Sequence, residues 1–214
     1  MLSLGKCYTN EDKLKMKKLS YIFVIALCAY FAFPQSSHAQ RGFKTLFNGK
    51  SLKAWKIPEL KKSWMIEDSL LIVKSDAAKT GSILWTKKDF KNFIIRADFK
   101  FGDGTVDSGF FIRDESQQIQ IGESGSLKRD MTCSPYIVGK GYPVEAKVAK
   151  VIKMDGWNTI QVKAEGGKYT AWLNGVEVMN YTSEDAKASG PIGIQLHPNR
   201  DMSIYYKNIS VKTL

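Results

Sequence analysis

The sequence predicts an all-β fold, a two-sheet antiparallel jelly-roll sandwich. Three observations carry that expectation. From residue 43 onward, short apolar runs alternate with polar residues at a period of two. Turn dipeptides separate the runs, including Asp103-Gly104, Gly166-Gly167 and Asn174-Gly175. Helical periodicity is scarce, with one short turn predicted from Ser183 to Ala188 ahead of Gly190-Pro191. About a dozen strands with no βα alternation imply two packed antiparallel sheets, with a closed barrel as the alternative.

The strands follow in order. Residues 64–73 hold apolar runs around Glu67-Asp68-Ser69 and read as a hairpin. Residues 82–85 form a short strand, and 93–101 a longer one. In residues 108–113, Phe111 and Arg113 share one face, and Phe110 and Ile112 the other. After a turn, Gln118 and Gln120 alternate with Ile119 and Ile121. Residues 157–182 are the clearest segment, because Asn-Gly between alternating runs is the strongest short hairpin signal. Residues 191–197 and 202–211 close the chain.

The first 39 residues read as an N-terminal extension and a secretory signal peptide. Met16, Lys17 and Lys18 make a basic start, and residues 19–33 form a mostly apolar run. Ser37 and Ala39 place small residues before a cut that leaves Gln40 first. The run falls short of the ~20 residues of a comfortable span. An uncleaved anchor and a lipoprotein at Cys28 are the alternatives. Residues 40–214 are then one secreted or periplasmic domain with no stable membrane span, large enough for a real core. Cys133 is its one cysteine. With no base near it in sequence, it is expected as a small buried residue and not a nucleophile.

Net charge is +11 over the chain. The leader carries five lysines against Glu11 and Asp12, which leaves about +8 for the domain. These lysines are scattered and form no basic stripe or nucleic-acid motif, so the reading is a solvated face and no nucleic-acid partner.

Several segments in order resemble the 3-keto-disaccharide hydrolase domain family, long known as a domain of unknown function. They are GFKTLFNGKSLKAWK (42–56), SWMIEDSLLIV, GSILWTKKDFKNFIIRADFKF, DSGFFIR, IQIGE, GWNTIQVKAEGGKYTAWLNGVEV, GPIGIQLH and YYKNISV. The resemblance covers residues 42–214. It implies a concanavalin A-like jelly roll of the lectin and glucanase type, acting on sugars that carry a ketone at C3. The family strand Tyr-Glu-Val-Gln-Ile-Leu-Asp matches residues 117–123. Gln120 keeps the family Gln, Glu123 stands for its Asp, Gln118 replaces a carboxylate, and Asp107 stands where Asn is frequent.

The polar faces suggest a site without the family. Gln195 and His197 share one strand face, and His197 is the one histidine of the mature domain. Together with Arg113, Gln118 and Gln120 they would offer a guanidinium, three amides and an imidazole. Amides suit an oligosaccharide or glycoside, since each both donates and accepts. Trp85, Trp172 and Tyr136 are candidate sugar platforms, with Lys128 and Arg129 on a nearby loop. The resemblance implies that a base, His197 or Glu123, removes the proton at C2 of a 3-keto-glycoside. The enolate expels the group at C1, and water then adds. Arg113, Lys128, Arg129 or a divalent metal would stabilise the enolate oxygen. His197, Glu123 and Asp130 could form a metal set, though no ligand spacing supports one. Ordinary glycosidase chemistry needs two flanking carboxylates, and the strand motif Glu-x-Asp-x-x-Glu is absent. A non-catalytic carbohydrate-binding module is the alternative function.

Overall fold

The structure is a computed structural model that describes residues 41–214. The leader peptide and Cys28 lie outside the described residues. Among the latter no helix is long and apolar enough to cross a membrane.

Fourteen strands form two antiparallel sheets: β1 (Lys44–Phe47), β2 (Trp55–Lys56), β3 (Trp64–Glu67), β4 (Leu70–Lys74), β5 (Ser82–Thr86), β6 (Phe93–Gly104), β7 (Asp107–Ile112), β8 (Gln117–Gly122), β9 (Pro135–Ile137), β10 (Asn158–Glu165), β11 (Lys168–Leu173), β12 (Val176–Thr182), β13 (Ile192–Leu196) and β14 (Met202–Thr213). The larger sheet runs β12-β11-β10-β6-β14-β4-β3, with β1 also on β14. The smaller runs β2-β5-β13-β7-β8-β9. The all-β two-sheet jelly roll is therefore the fold. The helical turn expected after Ser183 is only a short turn, and the described helix is a 3-10 turn at Lys61–Ser63. Ser183 is buried with its hydroxyl unpaired among the described residues, so it caps nothing.

The predicted hairpins form for the expected reason. Asn174 and Gly175 close β11 onto β12 with φ of 51° and 85°. Asp68 and Ser69 do the same between β3 and β4, at 49° and 63°. Short β2 and β9, which carry no alternation of their own, exist because they pair with β5 and β8.

The core lies between the sheets. Phe93, Ile95, Ala97 and Phe99 of β6 meet Phe110, Ile112, Ile119, Ile121, Ile192 and Ile194 from the smaller sheet in one buried cluster. Each such large apolar side chain contributes ~1.5–3 kcal/mol on burial. Trp55 is fully buried, and its indole donates to the Leu46 carbonyl at 2.9 Å. Tyr206 of β14 reaches across the sandwich, its hydroxyl 3.0 Å from that of Ser108 on β7. Because the apolar residues of β7, β8 and β13 point inward, the alternate residues must form the outer face of the smaller sheet.

Candidate functional site

That outer face carries the site. Strand register sets it out in three rows. The first holds Gly193, Phe111, Gln118 and Tyr136, paired in turn across β13, β7, β8 and β9. Two residues along each strand, Gly109 pairs with Gln120, beside Gln195 on β13. Asp107 opens the third row, and His197 follows the end of β13. A cleft of about 470 Å³ opens above the second and third rows and the end of the first that holds Gln118 and Tyr136. Gln118, Gln120, Gln195, His197, Lys128 and Tyr136 all line it, with Asp107, Tyr142, Gly125 and Arg200.

The amides are oriented by their neighbours. Gln118 donates from Nε2 to the Ser108 carbonyl at 3.0 Å and to Gln195 Oε1 at 2.8 Å. Its side chain lies flat on β7 because Gly109 has no Cβ; one there would come 2.5 Å from Gln118 Nε2. Gln120 donates from Nε2 to Asp107 Oδ1 at 2.8 Å and to the Glu123 carbonyl at 3.3 Å. Gln118 Oε1, Gln120 Oε1 and Gln195 Nε2 then have no partner among the described residues. The floor thus offers two acceptors and one donor, a match for hydroxyl groups.

At one end of the floor three charged or titratable groups meet. Asp107 is buried, and its Oδ2 accepts from Arg200 Nε at 3.3 Å. His197 Nε2 lies 3.8 Å from the same oxygen. His197 Nδ1 lies 2.6 Å from the Pro198 carbonyl. A carbonyl only accepts, so Nδ1 donates there; in the neutral tautomer this leaves the lone pair on Nε2. Arg200 Nη2 is buried without a hydrogen-bond partner among the described residues, 3.8 Å from Glu123 Oε1. A buried unpaired guanidinium nitrogen is a donor in wait of an acceptor. The loop over residues 123–130 packs on this group. A Cβ at Gly125 would come 3.2 Å from Asp107 Oδ2 and 3.4 Å from Arg200 Nη2. Tyr142 lies beside Tyr136, ring centroids 5.2 Å apart. Burial pushes its hydroxyl up to about 12, so it stays protonated and able to donate.

Some expected residues lie elsewhere. Arg113 shares the face by alternation, but β7 ends at Ile112 and Arg113 turns with φ of 71°. Its side chain is buried and donates to the carbonyls of Lys91, Gly166 and Lys187. Every nitrogen is engaged in tying loops together, so none serves the cleft. Arg129 instead pairs with Glu145 at 2.5 Å on the surface. Glu123 does not line the cleft and touches it through Arg200. Asp130 accepts from the Thr132 hydroxyl at 2.6 Å, and burial raises its carboxyl. Among the described residues no three His, Cys, Asp or Glu side chains converge as a metal set, so His197, Glu123 and Asp130 are not assembled as one. Trp172 sits on the larger sheet, apart from the cleft.

Three cleft-lining residues were not singled out as site residues by the sequence reading. Asp107 and Arg200 meet across 93 residues of chain, a contact no local pattern reveals. Tyr142 lies in a loop without alternation. One signal was present: Arg200 follows His197 closely in the run HPNRD.

Solved structures share the fold. A proposed glycosyl hydrolase from Parabacteroides distasonis ATCC 8503 is 22% identical with a TM-score of 0.62, over 80% of this chain and 99% of its own. A second from the same organism is 20% identical with a TM-score of 0.60, over 81% and 94%. The exoplasmic/lumenal domain of VIP36, bound to Ca2+ and Man3GlcNAc, is 12% identical with a TM-score of 0.60, over 79% and 88%. No curated protein matches the chain. A family profile matches residues 42–212, and with it the cleft and both sheets: the chain belongs to the 3-keto-alpha-glucoside-1,2-lyase-like domain family.

Proposed function

We propose that this protein is an exported enzyme that cleaves 3-keto-glycosides by elimination across C1 and C2, followed by hydration. The observation that carries this reading is that His197 Nε2 and Arg200 flank one oxygen of Asp107 at one end of an amide floor. A ketone at C3 acidifies the proton at C2. His197 Nε2 takes that proton, and the electron pair moves into the C2–C3 bond as the C3 oxygen becomes an enolate. Arg200 Nη2, with Lys128 at the cleft rim, donates to that oxygen. The pair then returns to form the C1–C2 double bond, the C1–O bond breaks, and the aglycone leaves as an alcohol once protonated. Water adds across C1–C2 and completes a redox-neutral hydrolysis. Asp107 lies 3.8 Å from Nε2 and stabilises the imidazolium that forms.

Asp107 is the one carboxylate lining the cleft, and it is already bound to Arg200 and Gln120. That arrangement suits proton abstraction better than a pair of carboxylates flanking a glycosidic bond. The sugar-bound VIP36 domain and the proposed glycosyl hydrolases support a carbohydrate ligand. Export rests on the leader read in residues 16–39. A second reading, a carbohydrate-binding module, is favoured by the floor itself: Gln118, Gln120 and Gln195 bind hydroxyls but transfer no protons. Incubation with a 3-keto-glucoside and its unoxidised parent separates them. The enzyme releases aglycone from the keto sugar alone; the binding module releases none from either.

A further inference from the structure

Beside the cleft, the same sheet face carries an aromatic row. The first row pairs Gly193 with Phe111 on one side and with Trp85 of β5 on the other. Successive rows on one sheet face lie two residues apart, about 7 Å. Trp85 therefore stands one row beyond Gln195 and two beyond His197, about 14 Å along the sheet from the reacting end, a span that takes the sugar being opened and the start of its leaving group.

Gly193 sets the posture of Trp85. A Cβ at 193 would come 2.7 Å from Trp85 Cζ3, so the indole can lie across the strand only because that position is glycine. Phe111 flanks it, with ring centroids 5.7 Å apart and planes tilted by 31°. Phe111 and Trp85 both stand outside the core cluster, and Trp85 is only half-buried. Folding leaves part of the ring open to solvent on the outer face, while the same β5 buries Leu84 and Thr86 on its other face. A flat aromatic beside a row of polar groups recognises a ring that is apolar on its face and polar at its rim.

We propose that Trp85, seated on Gly193 and flanked by Phe111, is the subsite for the leaving group, and that it selects glycosides whose leaving group carries a ring with a flat apolar face. This rests on the elimination reading, which places the sugar being opened over Gln195, Gln120 and His197. The leaving group then extends along the sheet to the aromatic row. Its ring is a second pyranose or an aryl group, which share this face chemistry. Contact with Trp85 exists before and during bond breaking alike. It therefore lowers KM and leaves kcat unchanged.

The test is calorimetric titration of the full protein in a His197→Ala background, so that ligand is not consumed. The ligands are methyl 3-keto-glucoside, phenyl 3-keto-glucoside and a 3-keto-disaccharide. The expected result is that one or both ring-bearing ligands bind about tenfold tighter than the methyl glucoside, a gap of ~1.4 kcal/mol. Trp85→Ala abolishes that gap and Trp85→Phe keeps most of it, with melting temperatures unchanged because the residue is outside the core. Which ligand gains identifies the ring. Equal affinity for all three ligands, or a Trp85→Ala loss shared by the methyl glucoside, overturns the proposal. Failure of the elimination reading shows separately, as absence of aglycone release by the unmutated protein.

Discussion

The Nε2 of His197 lies 3.8 Å from Oδ2 of Asp107, and the same oxygen takes the hydrogen bond of Arg200 Nε at 3.3 Å. One buried carboxylate thus holds Arg200 and lies beside His197, the two groups that the proposed elimination would use. In that reading Asp107 is a positioning residue, and Gln120 holds its other oxygen.

Removing the base should separate chemistry from binding. His197→Ala is expected to lower kcat by ~10²–10⁴-fold, the usual contribution of a positioned general base. KM should change little, because the amides remain. Steady-state kinetics on a 3-keto-glucoside checks this.

Asp107→Ala should cost stability as well as rate. It leaves Arg200 partly buried without its close carboxylate, and Gln120 with only the longer bond to the Glu123 carbonyl. Loss of charge-assisted bonds of this kind costs about 2–3 kcal/mol. Urea unfolding measures it, and Asp107→Asn should recover part through its remaining acceptor oxygen.

Arg113→Ala should destabilise without changing the chemistry. Its guanidinium holds the carbonyls of Lys91, Gly166 and Lys187. Truncation strands these acceptors and is expected to cost about 3 kcal/mol. Arg113→Lys should rescue little, since one ammonium cannot span three loops in the fork geometry. The folded fraction should keep its kcat.

Alkaline stability follows from buried tyrosines. Burial raises the Tyr142 and Tyr169 hydroxyls from 10.0 to about 12, and Tyr206 is raised further. A group raised on folding contributes stability that is complete below its unfolded value and lost as pH climbs to its folded one. Stability should therefore hold up to about pH 10 and fall between about 10 and 12, as denaturant titrations at several pH values would show.

Cys133 should be silent. It is buried, and burial pushes its thiol up, so almost no thiolate forms near neutral pH. A thiol reagent at pH 8 should label the unfolded protein and leave the native one unlabelled.

Much of this was legible in the sequence, for a physical reason. Strand alternation depends only on near neighbours, so Gln118, Gln120 and Gln195 could be placed on one face before any pairing was known. The hairpins at Asn174-Gly175 and Asp68-Ser69 were legible likewise, since positive φ at both positions is a local demand. Arg113 obeyed the same alternation and misled. Where β7 ends and the chain turns depends on loops from three distant parts of the chain. Asp107 and Arg200 were hidden because their contact is wholly long-range. Trp85 was legible as a candidate platform, but not its seat on Gly193, where a missing side chain on one strand sets the posture of a ring on another.

The most direct test is incubation of the protein and its His197→Ala variant with a 3-keto-glucoside and the unoxidised parent, following released aglycone and the sugar product by NMR. The account predicts that the unmutated protein consumes the keto sugar alone, giving the C1–C2 unsaturated ketone or its hydrate, and that His197→Ala loses ~10²-fold or more. Comparable cleavage of the unoxidised parent, or full turnover of the keto sugar by His197→Ala, would contradict it.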